Sequence, residues 1–272
     1  MPFTLSHPAA VLPLLRAAGE RGPLVASALV AGSMAPDVPF FAESLLPGVY
    51  GHGGLTHAWW AVPTLDVAIA GALVAGWHGV LRAPLVGLLP ERWAGGVEAL
   101  TVRRAEGVRG VDAAWFLASA AVGAATHVGW DAFTHGGRLG VRLLPVLDRK
   151  VAGVPVYEAL QYGSSALALA AMAGWAARAV RAVEPVRPAV RLAPRTRRVA
   201  TVALGAATAA GVLHRLSPVR RNLVPEVCFG AGAGLAVGAA GYAAVVAAAR
   251  WWRRGGRPGT GSNSRQLERS SA

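Results

Sequence analysis

Thiols, lysines and acids are scarce in this 272-residue chain. Cys228 is the only cysteine, which excludes an intrachain disulfide and any metal site built from cysteines. It lies in an apolar stretch, where it reads as a small buried hydrophobe. Lys150 is the only lysine, so nearly all of the 27 basic side chains are arginines. With the abundance of Ala and Gly this reads as high-GC coding bias, not as a selected preference for guanidinium forks. Acids number only 14, which leaves a formal net charge of +13. Such an excess can signal nucleic acid. Here, however, the basic residues sit between apolar runs and not in one stripe interleaved with aromatics, and no nucleic-acid-binding motif is present. No positive charge precedes Arg16, and the apolar stretches near it are short and interrupted by proline. The sequence therefore predicts no signal peptide, with membrane insertion driven by internal spans. It also has no internal repeat.

What the chain has in quantity is apolar residues. They make up 54% of it against 15% charged, and mean hydropathy is +0.42. Long Ala/Val/Leu/Gly runs alternate with short Arg-rich stretches, the pattern of a polytopic membrane protein whose partners are membrane lipids. The expected fold is all-α, with about five transmembrane helices and a short N-terminal helical region. Seven prolines divide residues 1–56 into short pieces. A short helix is expected from Pro8 to Ala18 with Ser6 as N-cap. Leu24 to Met34 is too short to span and reads as a buried or re-entrant helix ending at Pro36.

Spans are expected at about His57–Leu81, Ala113–Phe133, Ser164–Val183, Val199–Leu213 and Val224–Trp252. A loop at 82–112, a polar connection at 136–163 and a basic loop at 184–198 separate them. Residues 253–272, rich in Gly, Ser and Arg, read as a disordered tail. The segments 82–112, 178–198 and 250–272 hold five, seven and six basic residues, and five spans put all three on one side. The positive-inside rule makes that side cytoplasmic, with the C-terminus there and 136–163 and 214–226 outside. Trp59, Trp60 and Trp130 then mark the outer interface, and Trp115, Trp251 and Trp252 the inner one.

The densest chemistry is Thr126–His135, THVGWDAFTH, in which His127, Asp131 and His135 recur every four residues on one helical face. No charged side chain occurs from Ala113 to Thr126. Ionisable groups at the end of a membrane span are expensive, which makes function the default reading. Three more motifs gather His and Asp: Ser6-His7-Pro8, Ala35-Pro36-Asp37 and Leu55-Thr56-His57. With His57 beginning one span and His127 to His135 ending the next, antiparallel packing brings both ends to the same face, at the extracytoplasmic boundary. His7 and Asp37 can fold over the same mouth.

A mixed His/carboxylate set suits zinc or another divalent first-row metal. Such a metal lowers the pKa of bound water toward ~7. The candidate ligands are His7, Asp37, His57, His127 and Asp131, with His135 as candidate catalytic acid/base. Five ligands exceed the usual three of a mononuclear catalytic site, so two metals are also open. Each residue has a plainer reading. His127 with Asp131 can be a polar pair that stabilises helix packing. His135 can face the helix dipole as a cation. His7 can be a capping residue, Asp37 a turn initiator and His57 an interfacial aromatic. Asp66, below His57, reads as a supporting partner or relay.

The stretches MPFTLSHPAAVLPL, GSMAPDVPFF, LTHAWW and THVGWDAFTHGG resemble the bacterial domain-of-unknown-function (DUF) 4184 family of membrane proteins, over most of residues 1–180. More distantly, the pattern is similar to membrane-bound metal-dependent hydrolases. His7, Pro36-Asp37, Thr56-His57, His127 with Asp131, and Thr134 fill the places of their motifs, while Ala58 stands where those proteins carry Ser. The second resemblance implies a helical fold with zinc-like ligation, akin to zinc phospholipase C.

Together these readings give a metal-site membrane domain over 1–183, a basic loop with two transmembrane helices over 184–252, and the tail. The expected location is the bacterial cytoplasmic (inner) membrane. The expected function is a metal-dependent hydrolase of an ester or phosphoester, on a lipid or lipid-linked substrate. The alternative is a non-catalytic membrane protein whose His/Asp cluster is structural or holds metal without turnover. A transporter is disfavoured by the absence of an inverted repeat.

Overall fold

Ala and Leu have high helix propensity, and long runs of them with Val have no polar face to expose, so they become long helices buried or facing an apolar medium. The computed structural model describes residues 3–15, 23–102, 110–216 and 223–253. Among these the only strands are a short antiparallel ribbon, β1 (Lys150–Val151) with β2 (Val154–Pro155). The fold is all-α. Its main helices are α1 (Ala26–Gly32), α2 (Leu65–Leu88), α3 (Glu91–Thr101), α4 (Gly110–Thr134), α5 (Val156–Ala182), α6 (Pro194–Leu216) and α7 (Leu223–Arg253).

Three of them, α2, α6 and α7, are long and apolar enough to cross a membrane. Most of their surface faces outward, with Val202, Leu213 and Val245 all exposed. The helices α4 and α5, at 25 and 27 residues, match a span in length but are not among those three. Toward its C-terminal end α4 carries Thr126, His127, Asp131 and Thr134.

The first span begins later than the sequence suggests. Residues 57–64 form successive tight turns, with Ala58 N–H to Leu55 O, Ala61 N–H to Ala58 O and Thr64 N–H to Ala61 O. Pro63 lacks the N–H a helix would use there and disfavours helical backbone at Val62. His57 therefore precedes the helix by eight residues instead of starting it.

The expected loop at 82–112 is also largely helical, over the end of α2 and all of α3. Pro84 inside α2 is accommodated by a wider π-helical turn at Trp77–Leu81, where Arg82 N–H reaches Trp77 O. The Arg82–Glu98 ion pair, at 2.8 Å, ties α2 to α3. Arg103, Arg104 and Arg109 lie outside the described residues, as do 16–18 of the expected first helix, 217–222 of an expected outer loop, and 254–272 of the tail. The N-terminal helix is a 3-10 helix, Thr4–Val11. It starts before Ser6, whose hydroxyl donates to Phe3 O instead of capping.

The core that positions the site is a layer of small residues. Ala28, Ala31 and Ala35 pack against Val67 and Ala70 of α2 and Ala120 of α4. Two glycines allow the closest approach. A Cβ on Gly32 would stand 2.1 Å from Ala120 O, and one on Gly123 would stand 2.2 Å from Leu29 O. The helices α1 and α4 thus cross with main chain against main chain. Further along, Val62 packs on Ala124 and Val128, so α4 runs antiparallel to the 62–70 segment. The C-terminal pair α6–α7 uses the same device at Gly211, Gly230 and Gly234. It is joined by a buried Arg215–Glu226 ion pair, and Phe229 packs on Phe40 and Phe41.

Candidate metal centre

Four short segments bring the acidic and imidazole side chains together. The α1–α4 crossing sets the C-terminal end of α1 beside His127, whose Nδ1–H donates to Ser33 O at 2.8 Å. After α1 the chain makes a 3-10 turn, Ala35–Asp37, that points Asp37 inward. Thr56 Oγ1 donates to Pro36 O at 2.6 Å and so ties the His57 turn to the Asp37 turn. His57 Nδ1–H donates to Gly53 O at 2.7 Å. From the N-terminal 3-10 helix, Thr4 Oγ1 donates to Asp37 Oδ2 at 2.5 Å.

Asp37, His57, His127 and Asp131 form one buried group whose ligand atoms all lie within 4.8 Å of one another. With each Nδ1–H donated to a main-chain carbonyl, both histidines turn Nε2 toward the carboxylates, and in the neutral ring that atom carries a lone pair able to hold a metal. His57 Nε2 is 3.5 Å from Asp37 Oδ1 and 3.3 Å from Asp131 Oδ2. His127 Nε2 is 3.5 Å from Asp37 Oδ1 and 3.6 Å from Asp131 Oδ2. All four are longer than the ~2.7–3.2 Å of an N–H···O hydrogen bond. His127 Nε2 and Asp37 Oδ1 are accordingly buried without a hydrogen-bond partner.

A metal ion held tetrahedrally between the four groups could supply the missing partner. Two ligands at about 2.1 Å from such an ion stand roughly 3.4 Å apart, which is the spacing of the four N···O edges. Burial alone would raise the Asp37 carboxyl. Protonated imidazoles at His127 and His57 outweigh burial and hold Asp37 below the usual carboxylate range, and a cation between the same groups would do likewise. An ionised carboxylate is the form a metal needs.

The two remaining candidates converge on the other oxygen of Asp131. His7 is buried and stacks on His127, with ring centroids 3.6 Å apart, and its Nε2 is 3.6 Å from Asp131 Oδ1. Burial, reinforced by the neighbouring His127, pushes His7 down to about 3, so the ring is neutral at physiological pH. His7 thus adjoins the group and is not one of the four compact ligands. His135, half-buried after the last turn of α4, has Nδ1 3.5 Å from Asp131 Oδ1 and 3.2 Å from Asp131 O. Its Nε2 has no hydrogen-bond partner.

Asp66, in the first turn of α2, is fully buried, within electrostatic reach of His57 and His127, and neither of its oxygens has a hydrogen-bond partner. His52 and His214 are exposed, and His78 sits in the π turn of α2, away from the cluster's motifs.

The sequence points to all six of the converging His and Asp residues because each interrupts an apolar background. It does not point to Thr4, Ser33 or Gly53, which orient them. Two of these act through main-chain carbonyls, which every residue possesses. Thr4 lies three residues before His7, and that proximity is the only signal that could have found it.

The chain belongs to the family described as "Domain of unknown function (DUF4184)", whose family model matches residues 1–249. No curated protein and no solved structure matches it.

Proposed function

We propose that this DUF4184 protein is an integral membrane metalloprotein that holds a zinc-like divalent ion between Asp37, His57, His127 and Asp131. We further propose that it hydrolyses an ester or phosphoester of a lipid-linked substrate. The observation that carries the metal reading is the set of four 3.3–3.6 Å edges between buried nitrogens and carboxylate oxygens, with partnerless atoms among them. A buried polar atom left unpaired costs ~1–3 kcal/mol, more when charged, so these contacts favour a site built around a cation.

A divalent metal there supplies Lewis-acid polarisation of the scissile group and a more acidic water. The protein's own contribution is to fix both imidazole tautomers through Ser33 O and Gly53 O and to hold Asp37 through Thr4. Asp131 is left contacting the imidazoles of His7 and His135. His135, the less buried of that pair, is the proposed acid/base.

The membrane reading has five spans, with α4 and α5 added to α2, α6 and α7. Its support is that α4 is 25 residues long and runs antiparallel beside the start of α2. The five-span count puts the metal centre at the outer boundary of a bacterial inner membrane and the C-terminus in the cytoplasm. Exposed Trp59, Trp60 and Trp130 near the cluster suit an interfacial depth. That depth is the support for a lipid-linked substrate.

A second reading is favoured by a specific observation. Four buried protein ligands complete a tetrahedron, which is the signature of a closed, structural metal site. The experiment compares wild type with His135→Gln, both loaded with zinc, on carboxylester and phosphodiester lipids. The hydrolase reading predicts turnover in wild type and a loss of roughly 10²–10⁴-fold in the variant, with metal content unchanged. Full metal occupancy with no turnover on either lipid class would assign the site to the second reading.

A further inference from the structure

At the other end of α2 from the metal centre, the basic segment between α5 and α6 is an extended strap pinned onto α2 and α3. Val186 N–H donates to Gly95 O at 3.1 Å. Pro185 rests on Gly95 and Val190 on Gly87, so closely that a Cβ on either glycine would stand 2.8–2.9 Å from the strap. The strap is therefore held in place by packing and a hydrogen bond. Between it, the end of α2, the start of α3 and the first turn of α6 lies a cavity of about 320 Å³. That volume is at the lower end of the ~300–1,000 Å³ of small-molecule sites.

The cavity has a marked charge imbalance. Arg187, Arg191 and Arg197 line it against a single acid, Glu91. Arg197 Nε is buried with no hydrogen-bond partner. Neighbouring groups are committed elsewhere: Glu98 pairs with Arg82 at 2.8 Å, and the Arg181 guanidinium lies 5.7 Å over the Trp93 ring. Leu89 and Val190 add apolar wall.

Coding bias explains why these residues are arginines and not lysines. It does not explain why three of them line one half-open cavity with one buried N–H lacking an acceptor. A diffusely positive membrane-facing loop needs neither feature. A guanidinium fork matches the oxygens of a phosphate, and the cavity adjoins the ends of two apolar, span-length helices, α2 and α6.

We propose that this cavity binds a phosphate group, carried by an anionic membrane lipid headgroup or supplied as free phosphate. The site is independent of the metal centre.

The test uses the full chain in detergent, titrated with phosphatidylglycerol, phosphatidylcholine or inorganic phosphate, with native mass spectrometry as readout. Wild type should bind phosphatidylglycerol about tenfold more tightly than phosphatidylcholine, and Arg197→Gln should remove that preference. Arg195→Gln and Arg198→Gln, on the same helix but outside the cavity, should behave as wild type. If Arg197→Gln does not fold, the exposed pair Arg187→Gln/Arg191→Gln carries the same prediction. Arg197-dependent binding of inorganic phosphate without lipid preference supports the site and assigns its source to free phosphate. Unchanged binding of every probe in Arg197→Gln, or an equal loss in Arg195→Gln, would overturn the proposal, as would a chain that binds no phosphate probe.

Discussion

In His57 and His127 one ring nitrogen is fixed by a main-chain carbonyl, and that single bond decides what the other nitrogen can do. With Nδ1–H donated to Gly53 O or Ser33 O, Nε2 faces Asp37 and Asp131 and carries a metal-binding lone pair in the neutral ring. Thr4 performs the matching task for Asp37 by donating to Oδ2 and leaving Oδ1 toward the histidines. Thr4→Val removes that hydroxyl at almost constant volume. It should weaken zinc affinity by about 10–100-fold while the protein still folds, as measured by competition with a chromophoric chelator. Affinity equal to wild type would remove Thr4 from the support of the site. Asp66→Asn, outside the four ligands, should keep the full metal stoichiometry in the same assay.

At the scale of elements, the centre depends on how closely α1 approaches α4. A Cβ on Gly123 meets Leu29 O at 2.2 Å, so Gly123→Ala must push the helices apart. Ser33 O would then leave His127. The expected result is a loss of about 1–3 kcal/mol in stability, as for other overpacked interfaces, together with reduced zinc occupancy. Gly129→Ala, two turns along the same helix, meets only Trp59 at 3.9 Å and should change neither. Thermal unfolding followed with metal analysis of both variants distinguishes them, and equal behaviour would contradict the crossing as the determinant.

The crossing was not legible in the sequence. The chain has 34 glycines, and only three-dimensional proximity separates Gly32 and Gly123 from those facing open space. By contrast, the converging His and Asp residues were legible because an ionisable group in an apolar helix has few inexpensive explanations. The start of α2 is not legible because residues 57–64 are as apolar as a span, and only Pro63 hints at the tight turns that replace its first two helical turns.

For the whole molecule, the question is how many helices cross the bilayer. Three are long and apolar enough to do so, while five follow only if α4 and α5 accompany them. Reporters fused after residue 160 should read outside, and those after 190 or 255 inside. An inside reading at 160 would remove α4 and α5 from the membrane, and a fully inverted pattern would move the metal centre to the cytoplasmic side. Either topology leaves the four ligands adjacent, so the central claim is tested separately. Elemental analysis of the purified full chain against His127→Ala/Asp131→Ala measures it directly. About one equivalent of a divalent first-row metal in wild type and background in the variant is the predicted result. The same trace metal in both would contradict it.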